Sequence, residues 1–147
     1  MSAPSILKGS GMRARALVGL ELFTGVAALA GGTLLMLKPD GSLLQAKMSA
    51  LSESPFHDWF PPGTLLAALV GGGFAATGLW QAWRGALATE LSLAAGLGLI
   101  AFEAVELAWI GFQPLEAAFS LVGVTVAALA WRERQRTRPA NPQLPPG

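Results

Sequence analysis

The sequence predicts an all-α membrane protein: a four-helix transmembrane bundle with antiparallel neighbours and one longer extracytoplasmic loop. Three observations predict it. The first is four long apolar runs that make up most of the 147 residues. Between Arg15 and Lys38 the only charge is Glu21, and from Trp59 through Trp83 and from Ala117 to Trp131 there is none. A bilayer core about 30 Å thick takes roughly 20 residues of apolar helix, so each run fits one crossing. The second is composition. Charged residues are 13% of the chain, against roughly 25% in soluble domains, and the polar stripe of a soluble helix is missing. The third is charge asymmetry. Lys8, Arg13, Arg15, Arg84, Arg132, Arg134, Arg136 and Arg138 fall on one predicted side, and only Lys38 and Lys47 on the other. That bias, with an even number of crossings, predicts both termini in the cytoplasm.

Taken in order, residues 1–15 read as a basic cytoplasmic N-terminus and residues 16–131 as the four-span domain. The first span covers about 16–37. Secretory-signal apolar regions run to about 7–15 residues, so this longer run reads as a retained helix. Pro39-Asp40-Gly41 is a turn signal that ends it. In the outer loop, 38–61, Leu43, Leu44, Met48 and Leu51 suit a short helix lying on the membrane surface, and Phe56, Trp59 and Phe60 suit interfacial anchors. The second span, about 62–83, opens with Pro61-Pro62-Gly63, proline being tolerated in a first helical turn. The third, about 86–110, follows Arg84-Gly85, and the fourth, about 114–131, follows Gly111-Phe112-Gln113-Pro114. Such short connections make the last three helices antiparallel neighbours. Residues 132–147 read as a basic, proline-rich disordered cytoplasmic tail, with arginines suited to an anionic lipid surface.

Composition also excludes chemistry. The chain has no cysteine, which removes thiol–disulfide exchange, thiolate metal sites and the quinone-linked disulfide oxidoreductases built on four helices. A single histidine cannot build the usual multi-histidine metal or haem site. No phosphate-binding loop, nucleophile elbow or paired metal-ligand motif occurs. No catalytic residue, metal or cofactor is therefore assigned, and the expected partners are the bilayer, a lipid or small hydrophobic ligand, and a second copy or another membrane protein. Nucleic acid is not among them. Small residues four apart, Gly71/Ala75, Gly72/Ala76 and Ala94/Gly98, are predicted to face other helices, because close backbone approach replaces the hydrophobic drive in lipid. The run Gly71-Gly72-Gly73 is a candidate bend.

Four glutamates lie in or near the hydrocarbon zone. Glu21 and Glu90, each about one and a half turns from the cytoplasmic helix end, read as carboxylates that reach the interface or Arg13, Arg15 and Arg84. Glu103 and Glu106 stand about 60° apart on one face of the third span, and Glu103 sits about 7 Å beyond its middle toward the outside. Two ionised carboxylates three residues apart repel, which suits a proton or cation site or the polar anchor of a ligand. His57, Asp58 and Trp59 in the outer loop are candidates to lid a pocket with Glu103 and Glu106 on its floor and Trp109 beside them.

Around the loop, Gly31-Gly32, Asp40-Gly41, Ser54-Pro55-Phe56, Asp58-Trp59, Pro62-Gly63, Ile110-Gly111 and Gln113-Pro114 form a pattern of small motifs. In this pattern residues 16–131 resemble a group of small bacterial four-span membrane proteins of unassigned function. The resemblance implies a fold and a place in the bacterial inner membrane, and no activity. The functional expectation is a non-enzymatic subunit that binds a lipid or hydrophobe, or associates with a partner, through an outer-leaflet pocket near Glu103 and Glu106. Two other classes stand beside it. One is an oligomeric proton-coupled carrier of small molecules. The other is a lipid- or isoprenoid-modifying enzyme, since carboxylates and an indole face both favour a developing cation.

Overall fold

In hydrocarbon every backbone N–H and C=O needs a partner within the protein, so an apolar run without internal proline propagates as one helix. The computed structural model describes residues 5–83, 87–111 and 114–137, and among them there is no strand. Helix α1 runs Ser5–Leu37 and stops just before Pro39, which disfavours helical backbone in the residue preceding it. Helix α2 runs Phe60–Ala82, with Pro61 and Pro62 in its first turn. Helix α3 runs Ala88–Ile110 and ends at Gly111, whose φ of 78° only glycine adopts freely. Helix α4, Pro114–Thr137, opens on proline.

Among the described residues, Gly11–Leu37, Phe60–Ala82 and Ala88–Ile110 are long and apolar enough to cross a membrane. Two boundaries differ from the sequence reading. Helix α1 starts at Ser5, inside the predicted N-terminal segment. Helix α4 continues through Arg132 to Thr137, so the tail expected to be disordered starts as helix. Arginine, glutamate and glutamine are good helix formers and extend an existing helix once it emerges from the apolar run. The turn at Arg84-Gly85, residues Phe112-Gln113 and the tail from Arg138 lie outside the described residues.

The outer loop is a folded cap. Two short 3₁₀ turns, Ser42–Leu44 and Met48–Leu51, stand where one surface helix was expected. The break between them is Gln45, held at φ 55°. Gly41, at φ 75°, organises the turn: its carbonyl accepts the N–H groups of Leu44 and Ala46 at 3.2 and 3.0 Å. The Ser42 backbone N–H donates to Asp40 Oδ1 at 3.0 Å. That bond holds the Asp40 carboxyl below its usual range. The Trp59 N–H donates to the Pro39 carbonyl at 2.9 Å, tying the far end of the loop to its start. Leu51 and Trp59 are buried in the core beneath it.

Close approach of backbones assembles the bundle, at glycines that face another helix. On α1 the positions Leu17, Glu21, Thr24, Gly25, Ala28 and Gly32 recur at three- and four-residue steps and are all buried. A Cβ added to Gly25 would lie 2.6 Å from the Ala75 nitrogen, and one on Gly32 would run into the Gly63 carbonyl and Ala67. Gly71 similarly abuts Leu29 N at 2.9 Å, and Gly78 abuts Leu22 and Glu21. Helices α3 and α4 meet the same way, with Gly96 opposite the Ala127 nitrogen at 2.7 Å and Gly123 opposite the Gly96 carbonyl at 3.2 Å. Gly71/Ala75 thus faces α1 as expected. The other two predicted pairs do not do this work: Gly72 meets only its own helix at 3.9 Å, and Gly98 meets nothing within 4 Å. At the glycine run α2 widens into a π-helical stretch, Leu66–Gly72, where the ladder closes five residues apart instead of four.

Large apolar side chains are exposed on the surface of the helices. Phe23, Leu69, Leu121 and Trp83 are 72%, 61%, 68% and 75% exposed, an amount of exposed apolar surface that suits lipid contact. The hydroxyls of Thr24, Thr33, Thr64, Thr77 and Thr125 each donate to the carbonyl four residues earlier, at 2.7–2.9 Å. This satisfies them without water.

Candidate functional site

Two features stand out, and neither is the pocket expected at the outer loop. The first is a cleft of about 400 Å³ between α2 and α3. Its α2 wall is Leu69, Val70, Gly73, Phe74 and Thr77, and its α3 wall runs from Leu91 to Phe102. It exists because α2 and α3 touch sparsely, whereas α1 packs closely on α2 and α3 on α4. Gly73 and Gly98 lie in opposite walls, and a Cβ on either would meet open space. The Thr77 hydroxyl in the wall is already bonded to the Gly73 carbonyl at 2.8 Å. The lining offers no free side-chain donor, so the cleft suits an apolar guest.

The second feature is a buried polar cluster. Glu21 of α1 and Ser92 of α3 are both 0% exposed, and Thr24 is 1% exposed. Gly78 of α2 makes room for Glu21, since a Cβ there would stand 3.2 Å from the Glu21 Cβ. The Ser92 hydroxyl faces the Glu21 carboxyl without closing a hydrogen bond of regular geometry. Among the described residues, both carboxylate oxygens of Glu21, Ser92 Oγ and Gln81 Oε1 are buried with no hydrogen-bond partner. Gln81 lies one turn beyond Gly78 on the same face of α2. Orphaned buried polar atoms are costly, which makes this cluster a site in need of an explanation.

The predicted residues are distributed as follows. Glu103 is buried and lies on the inward face of α3 with Ser92, Gly96 and Leu99, while Glu106, one turn on, is half-buried. His57 is exposed. The Asp58 carboxylate accepts the Phe60 N–H at 2.9 Å and so shapes the entry to α2. Trp59 is buried under the cap, and its indole N–H has no partner among the described residues. It is Phe56 that reaches Trp109, edge to face at 6.1 Å, seating the loop on the end of α3. None of Glu103, Glu106, His57, Asp58, Trp59 and Trp109 lines the α2–α3 cleft. Glu90 is exposed, as an interfacial carboxylate would be, but Glu21 is not at the interface: it points into the bundle. Its place is legible in the sequence, because Glu21, Gly25, Ala28 and Gly32 share a helix face at steps of four, three and four. Among the described residues no group of three or more His, Cys, Asp or Glu could hold a metal ion.

No protein-family model, no curated protein and no solved structure matches this chain. The fold itself gives the class: among the described residues, an all-helical protein with three helices long and apolar enough to cross a bilayer.

Proposed function

We propose that the chain is a four-span integral membrane protein of the bacterial inner membrane, both termini cytoplasmic, that holds a lipid acyl chain in the α2–α3 cleft. In this reading it is a binding or partner-associated subunit and not an enzyme. The observation that carries it is the cleft itself: about 400 Å³ of apolar space at the middle of two membrane helices, with an unopposed glycine in each wall. Exposed Leu69 and Leu91 border it, so its mouth faces the lipid. The guest sits at mid-membrane, deeper than the outer-leaflet position suggested by Glu103 and Glu106.

The four-span topology draws support from the lysine and arginine bias and from exposed aromatics. Trp80, Trp83 and Trp131 are exposed near the C-terminal ends of α2 and α4, and Phe60 and Trp109 near the opposite end of the bundle. Two such groups are what two membrane–water interfaces call for. Reporter fusions at residue 147 and within residues 42–53 are expected to report opposite sides, and an extracellular C-terminus would refute the topology. The binding reading is tested by purification in mild detergent followed by mass spectrometry of bound lipid. The parent is expected to retain lipid in fixed stoichiometry and Gly98→Leu, whose side chain fills the cleft, to lose it. Equal retention by both refutes the reading, and a stable dimer without lipid assigns the cleft to a second copy.

A further inference from the structure

The Glu21 cluster is independent of the cleft and calls for a different occupant. A carboxylate removed from water is neutralised by a proton, a cation or a ligand's positive group, because its uncompensated charge costs many kcal/mol. The geometry narrows the choice. Glu21 and Ser92 are completely enclosed, and Gly78 packs directly against the glutamate stem. A metal cation would need several converging oxygens and space for itself, and an amine ligand more space still. A proton needs neither.

Charged residues on the surrounding helices are spaced along them as follows. On α1, Arg15 is exposed and six residues away, about 9 Å along the axis, and Arg13 is eight residues away, about 12 Å. Helix α2 has no charged residue from Phe60 through Ala82. On α3, Glu90 is exposed, and Glu103 is eleven residues beyond Ser92, about 16 Å along the axis. On α4 the charges are Glu116, near its start, and Arg132, Glu133, Arg134 and Arg136, past its apolar run. The side chain that faces the carboxyl is a neutral hydroxyl.

We propose that Glu21 and Ser92 form an intramembrane proton-binding site, in which the carboxylate takes one proton from water and becomes a neutral acid. Serine suits this role in both states, since its hydroxyl donates to a carboxylate and accepts from a carboxylic acid. Gln81 Oε1, also buried without a partner, lies one turn beyond Gly78 toward the C-terminal end of α2.

The test is an infrared pH titration of the full-length protein in lipid vesicles, reading the carbonyl band of protonated carboxylic acids. The parent is expected to show a band that disappears as pH rises. It should be lost in Glu21→Gln and retained in Glu90→Gln and Glu103→Gln. Ser92→Ala, which removes the hydroxyl facing the carboxyl, should move the midpoint by about one pH unit. A band unchanged in Glu21→Gln overturns the proposal. Should that variant fail to fold, Ser92→Ala decides alone: a titration superimposable on the parent's overturns it.

Discussion

The α1–α2 seam and the α2–α3 seam are both lined with glycine, yet one is closed and the other open. Along α1–α2, Gly25, Gly32, Gly63, Gly71 and Gly78 bring backbones so near that a methyl group would collide with a neighbouring helix. Along α2–α3, Gly73 and Gly98 face open space. The contrast is sharpest within α2, where Gly71 touches Leu29 and Gly73, two residues on, touches nothing. A helix turns about 100° per residue, so adjacent glycines serve different faces. The lesson is that a small residue in a membrane helix marks permission to approach; whether a partner takes it up depends on where the other helices go.

Substitutions test this contrast directly, and the largest effect belongs to the closed seam. Gly32→Leu drives a side chain into the Gly63 carbonyl and Ala67. It is expected to cost about 3 kcal/mol or more, seen as loss of monodisperse protein on size exclusion. Gly96→Ala meets the Ala127 backbone and should cost about 1–3 kcal/mol, read as a lower melting temperature in detergent. Gly98→Leu is expected to melt within about 1 kcal/mol of the parent, because its side chain has room. Melting below Gly96→Ala would mean that the α2–α3 cleft is closed. Gly73→Ala should be neutral or stabilising by about 0.5–1 kcal/mol, since alanine is the better helix former and meets no neighbour there.

The smallest effect concerns the cap. The Asp40 carboxyl lies below its ordinary value because the Ser42 N–H donates to it. Its contribution to the turn is therefore present above about pH 3.9, the ordinary carboxylate value. It is lost as pH falls through the lower value of the folded loop. Asp40→Asn should leave the cap unchanged at pH 7 and remove this acid sensitivity, measured by the fluorescence of Trp59 in a background lacking the other tryptophans.

How far the site was legible follows the same division. The pairing of Glu103 and Glu106 is legible because their spacing is local, and the structure does turn Glu103 inward. Glu21 looked like an interfacial carboxylate because it is close in sequence to Arg13 and Arg15. Its burial depends on Gly78 and Ser92, which are more than fifty residues away in the chain. The outer loop showed the same limit. Its apolar residues suggested a surface helix, but the bonds at Gly41 and the tie from Trp59 to Pro39 fold it into a cap.

Sequence alone determined the class of fold and the membrane-compatible length of its helices. Apolar length, the scarcity of charge and the internal hydrogen-bonding demand of hydrocarbon leave long helices as the available structure. The lining of the cleft, the choice between touching and idle glycines, and the enclosure of Glu21 were decided by tertiary structure. The physical reason is that lipid-facing and helix-facing positions are both apolar here. The polarity contrast that reveals a soluble helix's buried face is absent, and only packing against a specific neighbour tells the two faces apart.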